Sequence, residues 1–173
     1  DPTFDIEGVD AAHKATILCA IAFGVPVQFD KAYVEGITAL QAADIRYAEQ
    51  LGYRIKLLGM TKHTGQGIEL RVHPTLIPAT RLIANVEGAM NAVVVQGDAV
   101  GPTLYYGKGA GSEPTASAVI ADLVDVTRLH TADPEHRVPH LAFQPDAMSD
   151  LPILPMDRVV TAGSNFEHFA ELA

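Results

Sequence analysis

An aspartate and a lysine near the start of the chain have the spacing of a catalytic pair. Asp10 and Lys14 stand four residues apart in DPTFDIEGVDAAHKATILCAIAFG, so a helix places both on one face, one turn apart. An apolar run follows Lys14, and burial there would disfavour the ammonium form and lower the lysine pKa towards the range useful for proton transfer. The preceding carboxylates of Asp1, Asp5 and Glu7 would suit a substrate that carries an ammonium group.

Three interpretations of this pair stay open on spacing alone. A solvated ion pair of this kind contributes under about 1 kcal/mol to stability and has no chemical role. A proton-transfer pair uses the lysine as general acid and base, while the carboxylate holds the amine in place. A lysine nucleophile instead forms a Schiff base with a carbonyl substrate, which borohydride would trap.

A second candidate site lies in GKGAGSEPTASAV at 107–119. Three glycines, at 107, 109 and 111, lead directly into a helix that is predicted to begin near Pro114. Free backbone amides at a helix start, approached closely because glycine has no side chain, can hold an anion or a carbonyl group of a ligand. The segment lacks the G-x-G-x-x-G pattern of a dinucleotide fingerprint. The alternative is a tight strand-to-helix connection that needs positive φ angles.

Helices on either side of a group of strands must position these residues. Capping and apolar patterns predict helices at 9–23, 38–51 and 115–128. The first is apolar on every side after Lys14 and is expected to be buried, and the second is expected to be capped by Thr38 with Gln41 and ended by Gly52. Strands are predicted in two hairpins, at 53–61, 68–72, 91–98 and 103–107. This order predicts an α+β fold, with helices packed on one face of a mostly antiparallel sheet.

Composition excludes several classes of function. The net charge of −9 and the pI near 5.1 argue against nucleic acid and anionic membrane surfaces as partners. The longest apolar stretch, residues 17–27, is too short to span a bilayer. The single cysteine, Cys19, is predicted to be buried and inert, which indicates a reducing compartment and hence the cytoplasm. The seven histidines have no metal-binding spacing, so we expect them on the surface or in loops and predict no metal site.

Taken together, the motifs resemble homoserine dehydrogenase. DPTFDIEGVDAAHKATIL at 1–18 and YYGKGAGSEPTASAVIADLVD at 105–125 are similar to two specific segments of that family at the right separation. HPTLIP at 73–78 and VEGAMNAVVVQGDAVGPTLYYG at 86–107 are similar to its middle section. The family reversibly reduces L-aspartate 4-semialdehyde to L-homoserine with NADPH or NADH, in the biosynthesis of threonine, methionine and isoleucine.

The resemblance implies roles for particular residues. Lys14 matches the catalytic lysine that exchanges a proton with the substrate oxygen, Asp10 matches its partner carboxylate, and Asp5 matches a further polar residue near the substrate. The residues that match the glycine segment approaching the cofactor are Gly109, Gly111 and Thr115.

The resemblance also implies three parts of the chain. Residues 1–107 correspond to a substrate-binding, catalytic and dimerisation domain. Residues 108–130 correspond to the glycine loop and a helix that returns to a Rossmann domain, and residues 131–173 to an irregular C-terminal tail. We expect a fragment that is inactive alone, because it lacks the Rossmann domain with its second lysine, a substrate-binding glutamate just before Asp1, and the ligands of the cation site.

Two views of the chain's role follow. As part of an enzyme, it would act on small molecules within a homodimer or homotetramer, as the resemblance implies. The alternative is a non-catalytic dimerisation or interaction module, in which the sheet of residues 53–107 forms the contact surface and the Asp10–Lys14 pair is merely structural.

Overall fold

The computed structural model describes residues 1–131, 151–156 and 170–172, which form the predicted α+β fold. Short 3-10 turns at Phe29–Lys31 and Leu82–Asn85 connect the larger elements. The helices are α1 (Thr3–Ile6), α2 (Val9–Phe23), α3 (Ala42–Gln50) and α4 (Ser112–Thr131), and the strands are β1 (Tyr33–Val34), β2 (Tyr53–Thr64), β3 (Gly67–Pro78), β4 (Met90–Gly97), β5 (Gly101–Lys108) and β6 (Ala170–Leu172).

The strands join in one sheet with the order β1-β3-β2-β6-β4-β5. Both predicted hairpins are present: β2 pairs with β3 from Tyr53–Pro78 to Thr64–Gly67, and β4 pairs with β5. The short strand β6 lies between the hairpins and pairs antiparallel with β2 and β4. Among the described strands, β1 pairs parallel with β3 and the other pairings are antiparallel, so the sheet is mostly antiparallel, as predicted.

Helix α2 packs its small side chains against β3. Because alanine and cysteine are small, the helix approaches the strand closely and few voids remain. The buried cluster contains Ala12, Ala15, Cys19, Val25, Ile68, Leu70, Val72 and Ile153. The opposite face of α2 carries Ile17 and Ile21, which are exposed. The prediction of a helix buried on every side is therefore wrong, because the described sheet covers only one of its faces.

The free thiol of Cys19 lies inside this core, as predicted. Burial raises its pKa, and the nearby side chain of Thr61 offsets part of that rise. A thiol that is both buried and protonated is a poor nucleophile, so Cys19 acts as a small apolar residue here.

The ends of the elements are set by local backbone chemistry. Helix α2 has the predicted bounds, and glycines in the left-handed region stand on both sides of it, at Gly8 and Gly24. Helix α3 is shorter than predicted: Gln41 is extended and its N–H donates to Asp44 Oδ2 at 2.9 Å, so the predicted cap of Thr38 with Gln41 is wrong. Gly52, with φ of +80°, follows the end of α3 as predicted.

Residues 151–156 and helix α4 are the remaining described parts of the chain. Residues 151–156 run beside the start of β3, where Ile68 N–H donates to Pro152 O at 2.8 Å and Leu154 N–H donates to Ile68 O at 2.7 Å. Helix α4 is exposed, with only Pro114 and Leu129 half-buried between residues 112 and 130. Most of the tail predicted as irregular, at 132–150 and 157–169, lies outside the described residues. None of the described helices is long and apolar enough to cross a bilayer.

Candidate active site

The first turns of α2 bring Asp10 and Lys14 into direct contact. The helix turns one face to β3, which leaves both side chains on the solvent side. The Lys14 ammonium donates to Asp10, with Nζ and Oδ2 2.5 Å apart. The spacing therefore predicted the contact correctly. This contact holds the amine at a defined position.

Solvent reaches both members of this pair. The side chain of Lys14 is 54% exposed and that of Asp10 is 37% exposed. Water screens the attraction, so the pair contributes at most about 1 kcal/mol to folding. The described residues do not provide the desolvation that we expected around Lys14. A surface that covers this end of α2 would have to supply it.

Asp5 lies on the neighbouring helix α1 and is exposed. Backbone contacts hold this four-residue helix in place: Ile37 N–H donates to Ile6 O at 2.7 Å, and Gly8 N–H donates to Asp5 O at 3.1 Å. Gly36 allows the first contact, because a Cβ there would overlap the Ile6 carbonyl oxygen. Asp5 thus stands one short turn of chain from the start of α2.

The glycine segment occupies a different part of the molecule. Gly109 and Gly111 follow the edge strand β5, which β2, β6 and β4 separate from β3 in the sheet, and Thr115 is exposed on α4. Within the described part of the chain, no hydrogen bond, ion pair or ring contact joins them to Lys14 or Asp10. The structure therefore forms two separate groups from the predicted site residues.

Local structure explains why residues 109 and 111 are both glycines. Gly111 has a φ of +121°, which residues with a side chain rarely adopt. A Cβ at Gly109 would overlap the side-chain amide of Asn91. The space at Gly109 is thus filled by Asn91, whereas the backbone at Gly111 and the exposed start of α4 leave room for a ligand to approach.

His73 is the histidine that the sequence analysis placed wrongly. It lies in β3 and is only 4% exposed, because β3 continues through Pro78 where the prediction ended it at Val72. Strand β1 pairs with β3 only at Arg71 and Val72, so Pro74 lies beyond that pairing, along an open edge where proline is tolerated. Of the other histidines, 13, 63 and 130 are exposed, and 136, 140 and 168 lie outside the described residues.

The environment of His73 favours its neutral form. Burial lowers the pKa of the imidazole and the nearby Arg71 acts in the same direction, while a backbone hydrogen bond to Pro74 and the Glu35 carboxylate oppose them. Nδ1–H donates to Pro74 O at 3.0 Å, and Nε2 is buried without a hydrogen-bond partner among the residues that the structure describes. Within the described residues, no group of three or more metal-ligating side chains includes it.

An aromatic stack that the sequence patterns did not predict lies beside the Asp10–Lys14 pair. The ring of His13 stacks with those of Phe4 and Phe29, with centroids 5.7 and 4.2 Å away and planes within 17° and 12° of parallel. Periodicity within α2 does not reveal it, because Phe29 comes from the 3-10 turn beyond the helix.

Comparisons with known proteins place these features in a family context. The family model for homoserine dehydrogenase matches residues 1–124. A homoserine dehydrogenase from Pseudomonas aeruginosa is 70% identical over 162 residues, covering 94% of this chain and 37% of that protein. The crystal structure of a homoserine dehydrogenase from Thiobacillus denitrificans has a TM-score of 0.87 at 77% identity, covering 92% of this chain and 37% of that one.

A more distant structure carries a cofactor. It is a hyperthermophilic archaeal homoserine dehydrogenase in complex with NADPH, with a TM-score of 0.55 at 26% identity, covering 74% of this chain and 35% of that one. The chain thus spans little more than a third of the length of these relatives.

Proposed function

Because the chain belongs to the homoserine dehydrogenase family, we propose that it supplies the substrate site of an NAD(P)-dependent enzyme that interconverts L-aspartate 4-semialdehyde and L-homoserine. The observation that carries the proposal is the Lys14–Asp10 contact of 2.5 Å at the solvent-facing start of α2. The reaction belongs to the biosynthesis of threonine, methionine and isoleucine.

Lys14 moves the proton in this proposal. During reduction its ammonium group donates a proton to the aldehyde oxygen, and during oxidation the neutral amine takes the proton from the hydroxyl group. The Asp10 carboxylate accepts a hydrogen bond from Nζ and thereby fixes the position of the amine. A nicotinamide cofactor, when bound, supplies or accepts the hydride at the substrate carbon.

The acidic surface around α1 serves substrate recognition. Asp5 and Asp1 are exposed beside the start of α2, and both substrates carry an α-ammonium group. Carboxylates at this edge attract that ammonium, and a substrate held there extends its reactive carbon towards Lys14. Asp5 is thus a substrate-binding residue in the proposal.

The second group of residues suits an approach to the cofactor. The positive φ of Gly111 and the exposed N-terminal turn of α4, which carries Thr115, leave backbone groups open to a ligand. Gly109 fits less directly because Asn91 fills the space beside it. We propose that these residues border the nicotinamide end and that most contacts to NADP or NAD come from another part of the protein.

The proposed division of the chain follows from exposure and pairing. Residues 1–107 form the substrate-binding and dimerisation domain, 108–130 the glycine loop and the returning helix, and 131–173 the tail. The apolar side chains exposed along α4 support its packing on a nucleotide-binding domain; they are Val119, Ile120, Leu123, Val124 and Val126. We therefore propose that the chain acts within a longer polypeptide and is inactive alone.

Oligomerisation is also part of the proposal. Strand β5 is an edge of the sheet, and Val100, Leu104, Tyr105 and Tyr106 on or next to it are exposed. An exposed edge with apolar and aromatic side chains favours association with a second copy. We propose a homodimer located in the cytoplasm, where the buried free thiol of Cys19 stays reduced.

The test uses the complete enzyme that contains this chain. We expect Lys14→Ala to lower homoserine-dependent reduction of NADP⁺ or NAD⁺ by about 10²–10⁴-fold, because the proton transfer is lost. The matched control is Lys31→Ala, since Lys31 is an exposed lysine on a 3-10 turn, and we expect it to leave the rate unchanged.

Each outcome is decisive. Unchanged activity in Lys14→Ala would contradict the role of Lys14 while leaving the reaction in place. Absence of activity in the folded, cofactor-saturated parent enzyme would contradict the reaction itself and favour an interaction module.

A further inference from the structure

The aromatic stack of Phe4, His13 and Phe29 joins three elements at the edge of the candidate active site. Phe4 comes from α1, His13 from α2 and Phe29 from the following 3-10 turn. The ring of Phe29 stacks on the imidazole with centroids 4.2 Å apart, and the ring of Phe4 stacks on it with centroids 5.7 Å apart. The chain thus returns after α2 to hold the beginning of the same helix.

The stack is exposed, so burial does not account for it. His13 is exposed, and Phe4 and Phe29 are 52% and 36% exposed. None of the hydrogen bonds among the described residues involves the imidazole, so its contacts here are made by its flat faces. A stack at the surface buries little apolar area. Its main effect is to orient the elements that carry the rings relative to one another.

Each of two stacked rings stands next to a residue of the proposed site. Phe4 directly precedes Asp5, and His13 directly precedes Lys14. On a helix, successive side chains point about 100° apart. A ring that is held in the stack therefore fixes the rotation of its helix about the helix axis, and this rotation sets the direction of the next side chain. The stack therefore couples the position of the Asp5 carboxylate to that of the Lys14 ammonium.

Helix α1 depends on such contacts. It has only four residues and buries none of them, and at its N-terminus the Thr3 N–H donates to Asp1 Oδ1 at 2.9 Å. A helix this short is unstable without tertiary contacts. Its backbone contacts at Ile6 and Gly8 lie at the C-terminal end, which leaves the ring of Phe4 as a side-chain contact from α1 to the first turns of α2.

We propose that His13 is a positioning residue, whose imidazole links Phe4 to Phe29 by stacking with both rings and sets the distance between Asp5 and Lys14 in the bound substrate complex. The inference rests on the proposed function and deepens it, because it names a residue that acts through the two groups in contact with substrate. The imidazole takes no part in proton transfer to the substrate.

The test compares substitutions that keep or remove the flat ring, again in the complete enzyme. We expect His13→Leu to lower kcat about 10- to 100-fold and to raise KM for homoserine, since displaced groups lose their alignment with the substrate, while KM for the cofactor is unchanged. His13→Phe keeps both stacking faces and should restore most of kcat with the pH profile of the parent. Phe4→Leu, which removes only the outer and more exposed ring, should change the same parameters in the same direction and remains informative if His13→Leu fails to fold.

His63→Leu is the matched control. His63 is an exposed histidine on β2, and its ring lies 6.0 Å from that of Phe23. Loss of the His63 imidazole should leave kcat and KM unchanged. Parent-like kinetics in both His13→Leu and Phe4→Leu would overturn the inference, and so would a His13→Phe variant as impaired as His13→Leu. An inactive parent enzyme would instead overturn the proposed function.

Discussion

At the scale of single residues, the contact between Asp10 and Lys14 is a minor contributor to the stability of the fold. Both side chains are more than a third exposed, so their attraction is screened and adds little to folding. The structure confirms the contact that the spacing predicted. Its catalytic role stays a prediction, and stability and activity should therefore respond differently when the pair is broken.

We expect Asp10→Asn to separate these two properties. The free energy of unfolding should change by no more than about 1 kcal/mol, whereas kcat in the complete enzyme should fall because the lysine loses the charge that holds it. Urea denaturation and steady-state kinetics measure the two effects. A large loss of stability together with parent-like kinetics would assign the pair a structural role.

His73 makes stability depend on pH. Burial lowers the pKa of its imidazole below the unfolded value of 6.5, so below that pH the unfolded chain binds a proton that the folded chain does not. The free energy of unfolding should therefore fall as the pH drops from about 6.5 to the pKa of the folded state, and remain constant for this group above 6.5.

Denaturation of this chain between pH 7.5 and 5 measures the effect. We expect His73→Gln to flatten the decrease, because glutamine does not titrate, whereas His63→Gln, at an exposed position of β2, should retain it. A decrease of unchanged slope in His73→Gln would show that another group is responsible.

At the scale of elements, the close approach of Gly36 to α1 determines where the first helix lies. A Cβ at this position would be 2.5 Å from Glu7 Cα and would overlap the Ile6 carbonyl oxygen. We expect Gly36→Ala to lower the free energy of unfolding by about 1–3 kcal/mol, because backbone must move to accept the methyl group. Chemical denaturation of this chain measures the change.

Gly65 provides the control for this substitution. It lies in the turn between β2 and β3, and a Cβ there would meet no atom within 4 Å. Gly65→Ala should shift the free energy of unfolding by less than about 1 kcal/mol. Equal effects of the two substitutions would mean that the contact between Gly36 and α1 adds nothing to stability.

At the scale of the whole molecule, α4 contrasts with the rest of the described chain. Its apolar side chains are exposed, and a single helix without packing is marginal in water. In this chain alone, we expect amides of residues 115–128 to exchange with solvent orders of magnitude faster than those of the paired strands β2 and β3. Hydrogen exchange with mass spectrometry measures both regions.

The same experiment on the complete enzyme completes this test. If α4 packs on a nucleotide-binding domain, its amides should become protected there while β2 and β3 change little. Protection of α4 that already equals that of β3 in the chain alone would contradict the proposed division of the chain.

Local patterns predicted much of the architecture. The bounds of α2, the two hairpins and the placement of Pro114 in the first turn of α4 all depend on neighbouring residues, since glycine, proline and apolar periodicity act within a few positions. The wrong cap of α3 is a local error, whereas the other errors arose where distant segments meet. The neighbouring strands decide that His73 is buried and that β3 extends through Pro74. A short window of sequence contains no information about which strands those are.

The sequence by itself determined the fold class, the Asp10–Lys14 contact and the buried state of Cys19. Helical spacing brings residues four positions apart together, and the hydrophobic effect favours burial of apolar side chains. Only the tertiary structure decided that one face of α2 stays open, that Asn91 fills the space at Gly109, and that Phe29 returns to His13. These features join residues that are far apart in the chain, and packing of complete elements selects them.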